Sequence, residues 1–302
     1  MTVPSQDPRA FLTGLFRAAV DAADPMRIVA PNLPRRPSGR LLVIGAGKAS
    51  ARMAEAVEAA WGPCEGLVLT RYGYARPCKG IEIVEAAHPV PDAAGEAATA
   101  RLLDMVRGLT SDDLVIALIS GGGSALLCAP SQGLTLADKQ VLNTALLASG
   151  APISAMNRLR KATSRVKGGR LAAACAPARV VSLVISDVPG DETSEIASGP
   201  TMGDPERSGP SVAEILDRHH MELPARLRDA ILNGAEPLKA SDPRLAHAKA
   251  RVIAAPRQSL DAAAEKARAA GIAVRQLGDA LEGEARDLAA AVRQEARGAV
   301  GL

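Results

Sequence analysis

Three short stretches of the chain carry residue types that can bind phosphate, hold a metal ion or move a proton. GAGK (45–48) joins two glycines to a lysine, SGGGS (120–124) contains three successive glycines, and DVPGD (187–191) places two aspartates four residues apart. Glycine turns can present backbone N–H groups to an anion, and carboxylates can bind Mg²⁺ or accept a proton from a hydroxyl. These residue types predict a site for an anionic ligand.

The GAGK stretch matches neither of two common nucleotide-binding motifs. A dinucleotide fingerprint needs G-x-G-x-x-G, but Ser50 stands at the third glycine, and no acid ends the second predicted strand to hold a ribose. A Walker A loop needs four residues between its glycines. We therefore predict that Gly45 and Gly47 form a turn at a helix N-terminus, where free N–H groups and Lys48 bind an anion. A tight turn with a solvated lysine is the alternative.

The SGGGS stretch predicts a second anion-binding loop. Successive glycines can leave their amides free to form a concave nest for phosphate or carboxylate. Ser124 is placed to cap a helix that begins at Ala125, and a flexible loop is the alternative. The residues expected to contact a cofactor are Gly45, Gly47, Ser120, Gly121, Gly122, Gly123 and Ser124.

The third stretch places Asp187 at the end of a predicted strand and Asp191 after a Pro-Gly turn. Two such carboxylates can hold Mg²⁺ through oxygens and water, and one can act as a base toward a hydroxyl. We predict that both bind the metal and that Asp187 is also catalytic. The alternative is that Asp191 and Thr193 only cap a helix.

A basic helix is predicted within MNRLRKATSRVKGGR (156–170). Helical spacing places Arg160 and Lys167 on a polar stripe beside an apolar one, so they are candidates to bind a carboxylate or phosphate in a cleft. A solvated basic face is the alternative. His88 follows the third predicted strand and is a further candidate for substrate binding, although as a lone residue it is better explained as a structural histidine.

The elements that must position these residues form an α/β pattern. Short β-branched runs alternate with alanine-rich segments of helical periodicity, and the strands are apolar almost throughout, as in a largely parallel sheet covered by helices on both faces. Ligands in such sheets bind beyond the carboxyl ends of the strands, where all three stretches lie. The predicted strands are 41–45, 66–70, 81–86, 114–120 and 180–186, and the predicted helices are 48–60, 93–107, 135–149 and 153–173. Beyond them we predict a helix near 211–220, a strand at 250–255, a helix at 259–270, a strand at 272–278 and a helix near 283–297.

The composition excludes several classes of protein. The 302 residues are 47% hydrophobic and only 2% aromatic, with a net charge of +3, which disfavours nucleic acid and a membrane surface as partners. The four cysteines form no C-x-x-C pair, so a disulfide framework is not expected and a reducing compartment is favoured. No signal peptide or membrane-spanning run is recognisable, and we predict a cytoplasmic protein.

Five ordered stretches resemble the glycerate 2-kinase family, whose members are also named hydroxypyruvate reductases of tartrate-degradation operons. They are VIGAGKAS, AAHPVPDAAGE, LISGGGSALL, APISAMNRLRKATSRVKGGRLA and ISDVPGDETSEIASGPT. The resemblance runs from about Phe11 through Asp204. It departs from the family pattern at Ala155, where a glutamate is usual, and in KATSRVKGG, which replaces a more usual K-H-L-S-x-I-K-G-G.

The resemblance implies a Rossmann-like three-layer α/β/α domain over residues 1–237 and the start of a second, incomplete α/β domain over 238–302. It implies an active site in the cleft between two such domains, ATP-dependent phosphorylation of D-glycerate at the 2-hydroxyl, and a divalent metal such as Mg²⁺. It carries the family's catalytic lysine over to Lys48, which would neutralise the transferring phosphate. Arg160, Lys167 and His88 would then bind the substrate.

Two other functions stay open at this point. One is reduction of hydroxypyruvate by NADH or NADPH bound over GAGKAS, which the broken fingerprint disfavours. The other is a catalytically impaired member that only binds a ligand or partner, because family members continue well past residue 302 with a further glycine-rich motif and an arginine. The expected partners are a small-molecule substrate and a nucleotide, with a homodimer left open.

Overall fold

The computed structural model describes residues 7–206, 209–281 and 284–300. By its internal packing the chain divides into two compact units. The larger unit is Ala23–Ala255, and the smaller one combines Met1–Ala22 with Pro256–Leu302. The boundary predicted at 237/238 stays a prediction.

A six-stranded parallel sheet, in the order β3-β2-β1-β4-β5-β6, forms the centre of the larger unit. The chain starts at β1, builds outward to β3, then returns to β4 beside β1 and builds outward the other way, which is the Rossmann order. The predicted α/β fold class is therefore confirmed. The strands are β1 (Leu41–Ala46), β2 (Glu65–Arg71), β3 (Ile81–Ala86), β4 (Leu114–Ser120), β5 (Arg179–Ile185) and β6 (Ala248–Ala254).

The sheet is buried on both faces, which explains the continuous apolar strands. Successive side chains of a strand point to opposite faces. Leu42 and Ile44 of β1 thus belong to one hydrophobic core, whereas Val43 joins Ile116 and Leu118 of β4 in the other. All five of the first predicted strands are confirmed, and the strand predicted at 250–255 is the edge strand β6 of the same sheet.

The helices of the larger unit are α2 (Pro25–Ile28), α3 (Ser50–Trp61), α4 (Ala93–Met105), α5 (Gly123–Leu126), α6 (Leu136–Ala148), α7 (Ile153–Ala162), α8 (Arg170–Ala174), α9 (Val212–Arg218) and α10 (Ala225–Leu232). Some of them cover the sheet, and α6, α7, α9 and α10 form a further helical cluster with its own core. Short 3₁₀ turns lie at Ala30–Asn32, Pro189–Asp191, Ile196–Ser198 and Pro243–Leu245. Across the described ranges, no helix is long and apolar enough to cross a membrane.

One predicted helix is divided in the structure. The helix expected over 153–173 is α7, which ends at Ala162, followed by α8, which begins at Arg170 directly after Gly168 and Gly169; both glycines adopt left-handed backbone angles (φ 58° and 80°). A continuous right-handed helix cannot pass through such residues. The interruption turns the chain after α7 so that Lys167 no longer lies on the same helix as Arg160.

The smaller unit is helical where it is described. It contains α1 (Pro8–Ala22) and α11 (Pro256–Ala269), which pack against each other, and α12 (Ala285–Val300). The strand predicted at 272–278 is wrong: these residues are irregular, and no described strand of this unit lies beside them to pair with. Arg275 instead pairs with Glu295, and Gln276 donates to Asp261.

Candidate functional site

A cleft of about 310 Å³ lies beyond the carboxyl ends of β1 and β4. Parallel sheets of this order bind ligands where the chain reverses direction across the sheet, and that point is the β1–β4 pair. The side chains with chemical function that line the cleft are Lys48, His88, Ser124, Asn157, Arg160, Asp187 and Glu195. The structure therefore brings the candidate residues Lys48, His88, Ser124, Arg160 and Asp187 together.

The GAGK turn uses its backbone N–H groups within the protein. Lys48 N donates to Gly121 O over 2.8 Å, and Ala49 N donates to Ser120 Oγ over 3.0 Å. Gly47 N donates to a carbonyl of β2. The expectation of free N–H groups at this turn is therefore wrong. The turn fastens the end of β1 to the loop after β4, and it is the Lys48 side chain that lines the cleft.

The two glycines of this turn allow β1 and β4 to approach closely. A Cβ on Gly45 would overlap the Leu118 carbonyl, and a Cβ on Gly47 (φ 148°) would overlap Ser120. The close approach of β1 and β4 is therefore enough to explain why both positions are glycine, and no bound ligand is needed to explain them. Contact of either with a cofactor stays a prediction.

The SGGGS loop differs from the GAGK turn because its amides are available. In the described parts of the chain, the N–H groups of Gly122, Gly123 and Ser124 donate to no acceptor. The predicted capping of the following helix by Ser124 is wrong, because Ser124 lies inside α5. Its hydroxyl is 2.8 Å from Ser198 Oγ. The phosphate nest stays a prediction, now with three identified donors.

Lys48 and Asp187 face each other across the mouth of the cleft, with Nζ 3.4 Å from Oδ2. Both side chains are about half exposed, so this ion pair adds little to stability. Gly121 makes room for it, because a Cβ there would overlap the Asp187 carboxylate. This glycine therefore determines where the carboxylate lies.

Arg160 is a cation that has no carboxylate partner among the described residues. Its guanidinium donates to the amide oxygens of Asn157 (3.2 Å) and Asn143 (3.3 Å), and no described carboxylate pairs with it. Burial lowers the pKa of Arg160, although an arginine stays charged near neutral pH. A largely buried cation of this kind favours an anionic ligand.

Asn157 connects Arg160 to the other side of the cleft. Its Nδ2 donates to Glu195 Oε2 over 2.8 Å, and its Oδ1 accepts from Ser198 Oγ over 2.9 Å as well as from Arg160. Ser198 in turn contacts Ser124 of the glycine loop. The network holds the guanidinium and the glycine loop in one arrangement.

His88 lies against the glycine loop in the same cleft. Burial, the neighbouring Lys48 charge and the Arg71 charge lower its pKa. The neutral imidazole is therefore the dominant form near pH 7, and it can both donate and accept a hydrogen bond.

Seven predicted site residues do not line the cleft. Five belong to the two glycine stretches: Gly45, Gly47, Ser120, Gly121 and Gly123. The other two are charged. Lys167 is buried behind the cleft and donates Nζ to Leu127 O over 2.5 Å. Asp191 lies in the 3₁₀ turn that follows β5, with φ 55° and with its buried Oδ1 lacking a partner. Among the described residues, no group of three or more His, Cys, Asp or Glu side chains is arranged to hold a metal ion. The shared Asp187–Asp191 metal site stays a prediction.

Glu195 and Asn157 are residues of the cleft that were not among the predicted site residues, and Glu195 was missed altogether. It follows a threonine-serine pair in a segment that we interpreted only through its aspartates. Next to it, Ala197, Ser198 and Gly199 adopt consecutive left-handed angles of 54°, 62° and 59°. Such angles are unfavourable for residues other than glycine and concentrate at functional sites. Nothing in the letters I-A-S indicates them.

Comparison with known proteins places the chain in a family. Residues 11–232 match the family model described as "Domain of unknown function (DUF4147)". A protein of Agrobacterium vitis named "Putative hydroxypyruvate reductase" is 51% identical over 95% of this chain and 65% of its own length. A "Glycerate 2-kinase" of Pyrococcus horikoshii is 34% identical over 94% of this chain and 68% of its own length.

A solved structure of a glycerate kinase is also similar to this chain. The crystal structure of glycerate kinase from Thermotoga maritima has a TM-score of 0.75 and 34% identity, over 88% of this chain and 63% of its own. The chain thus spans slightly less than two thirds of that structure and of the Agrobacterium relative. The chain belongs to the DUF4147 glycerate kinase family.

Proposed function

We propose that the cleft serves ATP-dependent phosphorylation of D-glycerate at its 2-hydroxyl. The observation that carries the proposal is that two cations without strong partners, Lys48 and Arg160, line one cleft at the topological switch point. Glycerate carries a carboxylate, and the transferred phosphoryl group carries further negative charge. The two cations suit these two anionic groups.

Arg160 is suited to the glycerate carboxylate. A guanidinium binds a carboxylate through two parallel N–H···O bonds, and this one is held by Asn157, which also lines the cleft, and by Asn143 behind it. The carboxylate would give Arg160 the counter-ion that it lacks within the described chain. His88, as a neutral imidazole, would hydrogen-bond a substrate hydroxyl.

Lys48 is suited to the transferring phosphoryl group. In the reaction the substrate oxygen bonds to the γ-phosphorus, the bond from that phosphorus to the β-γ bridging oxygen breaks, and ADP leaves. Catalysis then depends on placing the groups in line and neutralising charge on the phosphoryl oxygens. The free amides of Gly122, Gly123 and Ser124 would add neutral donors to the Lys48 ammonium.

Asp187 would accept the hydroxyl proton as the new bond forms, since it is the carboxylate that lines the cleft beside Lys48. It is also the residue that would hold Mg²⁺, which supplies charge neutralisation to the nucleotide phosphates when bound. Magnesium commonly uses only one or two protein carboxylates together with phosphate oxygens. The orphaned Oδ1 of Asp191 is compatible with a supporting role.

The direct test is to incubate the chain with Mg-ATP and D-glycerate and to follow the products by ³¹P NMR. We expect ADP and 2-phosphoglycerate, which enolase consumes without a mutase. A product that enolase consumes only after the mutase is added would be 3-phosphoglycerate, and this would show that the 3-hydroxyl is phosphorylated. No phosphorylated product with either hydroxyl would contradict the proposal.

Hydroxypyruvate reduction is a second candidate because of the name of the Agrobacterium relative. The GAGK turn weighs against it, since its amides are used internally and the second strand ends in Arg71 rather than an acid. The same preparation is tested with hydroxypyruvate and NADH or NADPH at 340 nm. We expect no decrease in absorbance, and sustained oxidation would favour the reductase.

Replacing Arg160 by glutamine should raise the KM for glycerate about 100-fold, in line with losing a hydrogen-bonded charge pair of about 2–3 kcal/mol. The KM for ATP should change little if Arg160 binds the carboxylate. Arg165, an exposed arginine nearby in the sequence, provides the matched control as Arg165→Gln. A rise in the KM for ATP instead would assign Arg160 to a phosphate.

Gly121→Ala should lower kcat at least about 10-fold because its methyl group occupies the position of the Asp187 carboxylate. The cost in unfolding free energy should stay below about 2 kcal/mol, since the exposed aspartate can rotate away. Gly209→Ala, where a Cβ meets no atom within 4 Å, is the control. Unchanged kcat in Gly121→Ala would remove Asp187 from the mechanism.

A further inference from the structure

A small cavity of about 10 Å³ lies behind the glycine loop, beside the main cleft, with which it shares Ser124, Ala125 and Arg160. Three of its lining side chains are cationic, namely Lys139, Arg160 and Lys167, and none is a carboxylate. Lys139 and Lys167 do not line the main cleft and have no role in the phosphoryl transfer described above. The composition of the cavity is unusual because buried cations are normally paired with anions.

The hydrogen bonds of the three cations leave several donors unused. Lys139 Nζ donates to Thr163 O (3.1 Å) and Thr163 Oγ1 (2.6 Å), and Lys167 Nζ donates only to Leu127 O. An ammonium has three donors, so one is left on Lys139 and two on Lys167. Arg160 uses two of its five. The lining is therefore rich in donors.

Acceptors on the same lining are scarce. The Asn143 amide oxygen accepts from Arg160, and the Ser124 hydroxyl is engaged with Ser198. The Cys128 side chain is also present, but a thiol is a weak acceptor, and burial raises the pKa of Cys128 so that the thiol stays protonated. The side-chain acceptors of the described lining are thus all neutral, and none of them supplies a negative charge to the three cations.

The charges of the cluster repel one another. Burial, followed by the Lys139 charge, lowers the pKa of Lys167 to about 7, and burial lowers the pKa of Lys139 to about 8. The Arg160 charge lowers both pKa values further. An anion in the cavity would reverse these effects.

The size of the cavity restricts the anion. A volume of about 10 Å³ accommodates one particle the size of a water molecule. Phosphate, sulfate and carboxylates are polyatomic and exceed it. A chloride ion is spherical and somewhat larger than a water molecule, so a small outward movement of the flexible lysine side chains admits it, and it accepts several hydrogen bonds at once.

We propose that this cavity is a binding site for a single monatomic anion, chloride in particular, held by Lys139, Lys167 and Arg160. The anion supplies the missing acceptor and the missing negative charge together. It binds the protonated lysines, so its affinity rises as the pH falls from 8 toward 6. The inference stands independently of the proposed function.

The test is thermal unfolding at pH 6.5 in 200 mM sodium chloride and in 200 mM sodium gluconate, whose anion is too large for the cavity. If the dissociation constant lies near 20 mM, chloride should raise Tm by about 3–5 °C relative to gluconate. Lys167→Met should abolish this difference, and Lys249→Met, at an exposed lysine of β6, should retain it. Equal Tm values in the two salts, or a full difference in Lys167→Met, would overturn the proposal.

A second measurement covers the case in which Lys167→Met does not fold. Crystals of the unaltered chain soaked in sodium bromide should show one anomalous peak within hydrogen-bond distance of both Lys139 Nζ and Lys167 Nζ. Bromide peaks elsewhere only would reject the site.

Discussion

Lys48→Met is expected to lower kcat for glycerate phosphorylation about 1,000-fold, the size of effect seen when one preorganised donor to transition-state charge is removed. The ammonium lies at the mouth of the cleft, where Asp187 at 3.4 Å is its one ion-pair partner in the described chain. Phosphoryl transfer places growing charge on oxygens that only a cation or donor can stabilise. Methionine keeps the length of the side chain and removes the charge.

The same substitution should leave folding nearly unchanged. The Lys48 side chain is 42% exposed, so the unfolding free energy should move by less than about 1 kcal/mol. Steady-state kinetics and urea unfolding of the same preparation separate the two effects, with Lys249→Met as the control lysine. A kcat within tenfold of the unaltered chain would exclude Lys48 from charge stabilisation, and a large loss of stability would attribute the effect to folding.

The sheet could be predicted because its strands are buried on both sides. The run LVIALI at 114–119 is apolar at every position, as expected for a strand covered by helices on both faces. The strand predicted at 272–278 failed for the complementary reason. It contains the β-branched residues Ile272 and Val274, which favour a strand, but a strand needs a neighbour to pair with, and pairing is a tertiary property.

The candidate site was predictable in position but not in its contacts. Placing GAGK, SGGGS and Asp187 at strand ends was enough to bring Lys48 and Asp187 into one cleft. Which amides remain free depends on whether another loop supplies an acceptor, and the loop after β4 does so for the GAGK turn. Glycine content therefore indicates close approach as readily as anion binding.

Neighbouring cations of α7 illustrate the same limit. Arg160 and Lys161 are adjacent in a basic run, and sequence alone treats them alike. Arg160 lines the cleft without a carboxylate, whereas Lys161 is fully buried between Glu195 (3.0 Å) and Asp204 (2.6 Å). The first cation is available to a ligand, and the second is part of the scaffold that positions Glu195.

Lys161→Met is therefore expected to destabilise the chain by about 3–5 kcal/mol, because it leaves two carboxylates without their shared buried counter-ion. The Lys161 side chain is 2% exposed, so water cannot replace it without local opening. Urea unfolding at neutral pH measures the loss. The matched control is Arg101→Met, which removes an exposed ion pair with Glu82 and should cost less than about 1 kcal/mol.

A double variant, Lys161→Met with Asp204→Asn, should recover part of the loss, because it removes one of the two carboxylate charges that Lys161 neutralises. In the single variant Asp204 keeps its other ion-pair partner, Arg158, at 3.5 Å. Recovery distinguishes an electrostatic role for Lys161 from simple packing, since the asparagine keeps the size of the aspartate and changes only its charge. A Lys161→Met chain that unfolds within 1 kcal/mol of the original would show that Glu195 and Asp204 find other partners or water. Glu195 would then owe its position in the cleft to Asn157 alone, whose amide donates to it over 2.8 Å.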